Sequence, residues 1–356
     1  MSDISSRKAD HLDLCSTDDV AFRTKTTLLE QVELVHDALP ELAVADVDLS
    51  TAFVGRTLQA PLVIAAMTGG VDRAEAINRE LASVADELGI AFGFGSMRPL
   101  LQNGIRDGYD VRADAPGATL LGNIGVVQAA QASTQQLADM VGSTDCNALC
   151  VHLNPAMEVV QPEGDDDFRH GLDTIARLVD ELPIPVIVKE TGCGLSRKVG
   201  ERLVARGVRW VDVSGAGGTS WVAVEALRAR ARTQALGQLY WDWGIPTAAS
   251  VAQLDGLGLG IVATGGLRNG LDVARALALG ATAGGLARNL LKAWNEGGRE
   301  GALSAGRELV EEVRIACLLT GSRSPADLKD QPLVIGPELR RWIPRASPLA
   351  SRLLGL

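Results

Sequence analysis

No stretch of the 356-residue chain approaches the roughly 18 uncharged apolar residues needed to cross a bilayer. The opening, MSDISSRKADHLDLC, has no apolar h-region of a secretory signal. A soluble cytoplasmic protein without a membrane partner is therefore expected. Basic residues are the minority, 34 against 44 acidic, for a net charge of −10. Nucleic-acid binding needs basic surface to displace counterions from phosphates, so no nucleic-acid partner is expected. A small anionic substrate in a local basic pocket remains compatible. The five cysteines (Cys15, Cys146, Cys150, Cys193, Cys317) are odd in number and scattered, and Cys146 and Cys150 lack a second close pair for a zinc site. They read as reduced thiols. There is no low-complexity tract and no repeat of about 20 to 50 residues.

What is present is apolar material in a regular pattern. The chain is 46% hydrophobic, and its length lies within the roughly 200 to 400 residues that one (β/α)8 barrel occupies. Short β-rich apolar runs alternate with stretches of helical spacing. Eight strands are predicted: Leu62 to Met67, Ala91 to Ser96, Thr119 to Ile124, Ala148 to Leu153, Pro185 to Lys189, Trp210 to Ser214, Gly260 to Thr264 and Ala283 to Leu286. Runs such as LVIAAM, PVIVK and WVDVS are apolar at nearly every position, which suits parallel strands buried on both faces. The prediction is an α/β fold with a single (β/α)8 TIM barrel at 61–295. An N-terminal extension over 1–60 could cover the barrel mouth, and a C-terminal helical segment over 296–356 is interrupted by Pro332, Pro337 and Pro344. An open doubly wound sheet is the alternative, but the first strand runs into MTGG rather than GxGxxG.

Nearly every predicted strand ends in a small or polar cluster, and all would face the mouth at which such barrels place their active sites. The segment Ile261 to Arg288 offers Gly265-Gly266 before a helix, Arg268 beside them, and Gly284-Gly285 on the next strand. Free backbone N–H groups and a helix N-terminus there form a phosphate cradle. Lys189 closes an apolar strand and needs an anionic partner. It reads as a Schiff-base lysine, a cation facing a negatively polarised ring, or one half of a salt bridge, with Glu190 as a candidate partner. Asn123, Thr68 and Ser96 could hydrogen-bond such a ring. His152 and Asn154 point the same way by alternation and could bind an oxyanion, while Glu158 could bind a hard cation through oxygen. The run Glu163, Asp165, Asp166 and Asp167 reads mostly as a solvated face.

Together these segments resemble type 2 isopentenyl-diphosphate isomerase, a flavin-dependent barrel enzyme. The resemblance runs from RKADHLDLC through PLVIAAMTGG, GFGSMR, GNIG, HLNPAMEVVQPEGDDDF, PVIVKETGCGLS, VDVSGAGGTSW and DWGIPTAAS to IVATGGLRNGLDVARALALGA, in the family's order, over roughly residues 7 to 290. It implies FMN at the mouth, with Ala66, Met67, Thr68, Ser96, Asn123, Lys189, Ser214 and Thr219 around its ring and ribityl chain. Gly265, Gly266, Arg268, Ala287 and Arg288 would hold its phosphate. Arg7, Lys8, His11, Arg98, His152 and Asn154 would hold a prenyl diphosphate, Met157 would line the same pocket, and Glu158 would carry Mg2+. Lys189 and His152 are the implied catalytic groups, and NADPH the reductant. The family reaction shifts a double bond without net redox change, using the reduced flavin. A homo-tetramer or homo-octamer is implied as well.

Two positions depart from the family pattern. Met97 and Met157 stand where the family usually has glutamine, the second of them a proposed proton-transfer partner, and a thioether cannot move a proton. Either the flavin moves the proton without it, or the chain is repurposed for a different prenyl-type diphosphate with cyclisation or reduction as the outcome. FMN-dependent 2-hydroxy-acid oxidases need a histidine and an arginine after a late strand, and Val213 to Trp221 offers neither. A decayed flavoprotein acting as a sensor or assembly partner fits the methionines but not the diphosphate-binding residues.

Overall fold

A computed structural model describes residues 14, 20–66, 72–161, 164–228 and 231–354. Strand β1 (Val32–Leu34) and the hairpin β2 (Thr51–Phe53) and β3 (Arg56–Leu58) precede a closed barrel. The barrel consists of β4 (Leu62–Ile64), β5 (Ala91–Gly93), β6 (Thr119–Gly125), β7 (Ala148–Leu153), β8 (Val186–Glu190), β9 (Trp210–Asp212), β10 (Gly260–Ala263) and β11 (Ala283–Leu286). Every neighbour pairs in parallel, and β11 returns to β4. Each of the eight predicted strands is present. β6 and β8 are buried at every residue, as expected for strands covered on both faces.

Several predicted strands end early. β4 stops at Ile64, and β9 stops at Asp212 because Ser214 takes a left-handed φ of 36°, which a ladder cannot continue. After the barrel, the helix Arg288–Leu319 bends at Gly297-Gly298, where the φ/ψ angles leave the helical region. The tail beyond it is not helical throughout: β12 (Leu333–Ile335) pairs antiparallel with β1.

One large core lies between barrel and helices, and a smaller one fills the barrel interior near the strands' amino ends. The β2–β3 hairpin closes that end. Its two-residue turn, Val54-Gly55, has positive φ at both positions (44° and 81°), the geometry that matches strand twist. The turn sends Phe53 and Leu58 into the inner core, where Phe53 meets Trp210 edge to face at 5.1 Å. The region before the barrel is therefore divided. Residues 51–58 plug the floor, while Ala21 bridges Thr219 and the Thr27 carbonyl accepts from Ala248 N–H at the opposite end. Among the described residues, no helix is long and apolar enough to cross a membrane.

Candidate functional site

The carboxyl ends of five consecutive strands carry a row of polar side chains. Parallel register places His152 of β7 beside Lys189 of β8, and Lys189 beside Asp212 of β9. The Asn123 side-chain amide on β6 donates to the Phe94 carbonyl at 3.0 Å, so its oxygen is left to accept. His152 Nδ1 lies 2.8 Å from that oxygen and must be the donor. Burial, together with the nearby Lys189 charge, pulls the His152 pKa down to about 4, so the ring is neutral at pH 7 with a bare lone pair on Nε2.

Lys189 is buried, and its Nζ lies 3.1 Å from Asp212 Oδ2 and 3.0 Å from the Glu190 carbonyl oxygen. An ammonium has three N–H donors, so one remains for a ligand. The lysine's ionic partner is thus Asp212 rather than Glu190. The Glu190 carboxylate turns away and accepts from the backbone N–H groups of Cys193 and Gly194 at 2.5 and 3.2 Å. Asp212 Oδ1 accepts from Ser214 N at 3.1 Å and from the Thr264 hydroxyl. Asp212 and Thr264 lie inside the segments VDVSGAGGTSW and IVATGGLRNG, but the sequence alone assigns neither a role. The available signal was a lone acid in an apolar run, which only strand register pairs with a particular lysine.

Thr264 leads directly into the glycine turn. Gly265 and Gly266 have φ of 100° and 78°, and a Cβ on Gly218 would sit 2.6 Å from Gly266 Cα. Two backbone segments touch here with no room for side chains. The N–H groups of Gly265 and Gly266 have no acceptor among the described residues. A half-buried glycine turn with bare donors fits an anionic group. Thr247 donates to the Gly265 carbonyl at 2.5 Å and holds the turn from behind. Arg268 borders it, largely exposed, with Nε 3.3 Å from the buried Asp272. Ser214, Thr219, Ala287 and Arg288 lie on the neighbouring strand ends, with Arg288 opening the long helix. Ala66 and Ser96 close the ring of strand ends at β4 and β5, the Ser96 carbonyl accepting from Tyr109 at 2.6 Å. Met67, Thr68, Arg7, Lys8, His11 and Glu163 lie outside the described residues.

After β7 the chain forms a short helix, Pro155–Glu158. Asn154 Nδ2 donates to Glu158 Oε1 at 2.6 Å, and Glu158 Oε2 accepts from Asp165 N at 2.9 Å. Asn154 and Glu158 are therefore joined, with Met157 half-buried beside them. Asp165 also takes a hydrogen bond from Gln128 at 2.8 Å, so it is tied into the loop rather than merely solvated. Among the described residues, no three His, Cys, Asp or Glu side chains cluster as a metal cage. Glu158 fits a hard cation only as a single protein carboxylate, the manner in which Mg2+ is held when substrate phosphates and water complete its shell. Arg98 reaches Gln102 at 3.0 Å. Met97 is fully buried, and its sulfur accepts from Asn123 N–H at 3.4 Å. Of the two methionines, only Met157 can line a pocket.

The family model for FMN-dependent dehydrogenases matches residues 2–159 and 127–335. An isopentenyl-diphosphate delta-isomerase of Methanothermobacter thermautotrophicus is 42% identical over 343 residues, covering 96% of each chain. One from Sulfurisphaera tokodaii is 37% identical over 351 residues, covering 96% of this chain and 94% of its own. A solved mandelate oxidase holding an FMN monooxide adduct superposes with a TM-score of 0.65 at 19% identity, over 91% of this chain and 95% of that one, which establishes the shared barrel. With relatives of this identity across almost its whole length, the chain belongs to the type 2, FMN-dependent isopentenyl-diphosphate delta-isomerase family.

Proposed function

We propose that the chain interconverts isopentenyl and dimethylallyl diphosphate at the barrel mouth, adding a proton at one carbon and removing one from another. The observation that carries this reading is the juxtaposition of an anchored ammonium, Lys189, with a glycine turn of bare N–H donors two strands away. FMN fits there: Gly265, Gly266, Arg268, Ala287 and Arg288 would hold its phosphate, and Ala66, Ser96, Asn123, Lys189, Ser214 and Thr219 its ring and ribityl chain. When bound and reduced, with NADPH as electron source, FMN supplies acid and base chemistry at its N5 position.

The remaining work falls to side chains. The remaining N–H of Lys189 would face the negatively polarised ring, and the Asp212 pair keeps the ammonium from swinging. His152 and Asn154, with Arg98, would bind the diphosphate. His152 can donate to it only after gaining a proton at Nε2, which an approaching anion favours. Glu158 would supply one carboxylate to Mg2+, which would offset the charge of the diphosphate. By the resemblance, Met157 stands in place of a proposed proton-transfer glutamine, and a thioether can shape a pocket but cannot move a proton. That substitution is what keeps a second reading beside the isomerase, a different prenyl-type diphosphate with cyclisation or reduction as the outcome.

An anaerobic assay with FMN, NADPH or dithionite, Mg2+ and isopentenyl diphosphate separates the two. Dimethylallyl diphosphate should appear while the flavin stays reduced. A reducible bound flavin with no product would instead select the repurposed enzyme. Assembly as a homo-tetramer or homo-octamer belongs to the same reading and is measured by light scattering.

A further inference from the structure

The row of polar groups across β8, β9 and β10 contains one residue whose contacts reach both halves of the flavin site. Asp212 is buried at the inner mouth, and each of its oxygens is committed. Oδ2 holds Lys189 Nζ at 3.1 Å. Oδ1 takes the Thr264 hydroxyl and the Ser214 N–H. Thr264 immediately precedes Gly265-Gly266, and its carbonyl accepts from Gly215 N at 2.9 Å, so it is fixed on both sides. Ser214 is the residue at φ 36°, and its carbonyl in turn receives the N–H groups of Gly192 and Gly194 at 2.9 and 3.1 Å. A strained residue persists only where its surroundings over-determine it, and here the Asp212 carboxylate is one of the fixing groups.

We infer that Asp212 is a positioning residue for the isomerisation: it fixes the Lys189 ammonium and, through Thr264, keeps that cation in register with the glycine turn. The inference rests on the flavin reading of the mouth proposed above. One carboxylate sets the separation between a cation for the ring and a cradle for the phosphate, so both ends of one ligand meet a single rigid ruler. Two buried charges are justified here because each is paired and hydrogen-bonded, whereas removing one partner would leave the other unpaired.

Asp212→Asn is the informative substitution. An asparagine keeps an oxygen for Ser214 N–H and Thr264 but turns an NH2 toward Lys189, so the lysine contact alone becomes repulsive. FMN affinity, titrated by absorbance on the full chain, should weaken about tenfold, and kcat should fall about a hundredfold with KM little changed. In a Lys189→Met background the same substitution should add less than about twofold to either quantity, because its effect runs through the lysine. Thr264→Val, which removes one hydroxyl from the network at constant volume, should show a smaller loss with the same dependence on Lys189 and covers the case in which Asp212→Asn fails to fold.

Equal costs in both backgrounds, or no cost in the unsubstituted chain, would overturn the inference and leave Asp212 a structural residue. A chain that binds no FMN at all would remove the flavin reading itself, a result the titration of the unsubstituted protein gives before any variant is made.

Discussion

His152 donates its Nδ1–H to Asn123 Oδ1 across adjacent strands at 2.8 Å, which leaves the other nitrogen of the neutral ring as an acceptor. A diphosphate needs donors, so substrate binding should be accompanied by proton uptake. The free ring titrates near pH 4 and the phosphate-bound ring higher. Between those two values affinity is strongest at the acid side and weakens as pH rises. KM measured from pH 6 to 8.5 should therefore rise more steeply in the native enzyme than in His152→Gln, whose amide donates at any pH. Parallel profiles would show that His152 does not meet the phosphate.

Glu190 titrates in the opposite sense. Burial raises its pKa to about 8, despite the backbone N–H groups that favour its charged form. A raised folded-state value gives stability that is complete below the unfolded value, near 4.5, and is lost as pH rises through 8. Glu190→Gln keeps an acceptor for Cys193 and Gly194 with no charge to bury. Its melting temperature should match the native protein at pH 5 and exceed it at pH 9, by an amount on the order of a few kcal/mol of stability.

The glycine turn tolerates no side chain. Gly266→Ala would place a Cβ 2.7 Å from Gly218 N and from Thr27 Cγ2, at a φ of 78°. Strain of about 1 to 3 kcal/mol and at least a tenfold loss of FMN affinity are expected. Gly258→Ala, at φ 71° with open space around it, is the control. It should cost about 1 kcal/mol and leave the flavin untouched.

Glu158→Gln removes the only carboxylate of its short helix while preserving the bond to Asn154 through the amide oxygen. The dependence of rate on added Mg2+ should disappear, with activity down by about 10²-fold or more. Unchanged metal titration curves would show that Glu158 holds no metal.

The barrel was legible because strands buried on both faces leave near-continuous apolar runs, and LVIAAM and PVIVK carry that signal. The glycine turn could be read because only glycine permits its φ values. The Lys189–Asp212 pair could not, since 23 positions separate the two in the chain and the register between β8 and β9 decides which carboxylate arrives. Glu190, adjacent in sequence, points to the opposite face by alternation. The floor hairpin escaped notice for a different reason: two three-residue strands are too short to show a period.

The same hairpin settles how molecules travel. With Phe53 and Leu58 packed beneath Trp210, the barrel is a well with a sealed base, and nothing passes through it. Whatever enters must leave by the way it came. Reductant, substrate and product would share one doorway above the ring and therefore take turns, so an electron donor and a prenyl diphosphate should compete for entry even though they have no chemistry in common.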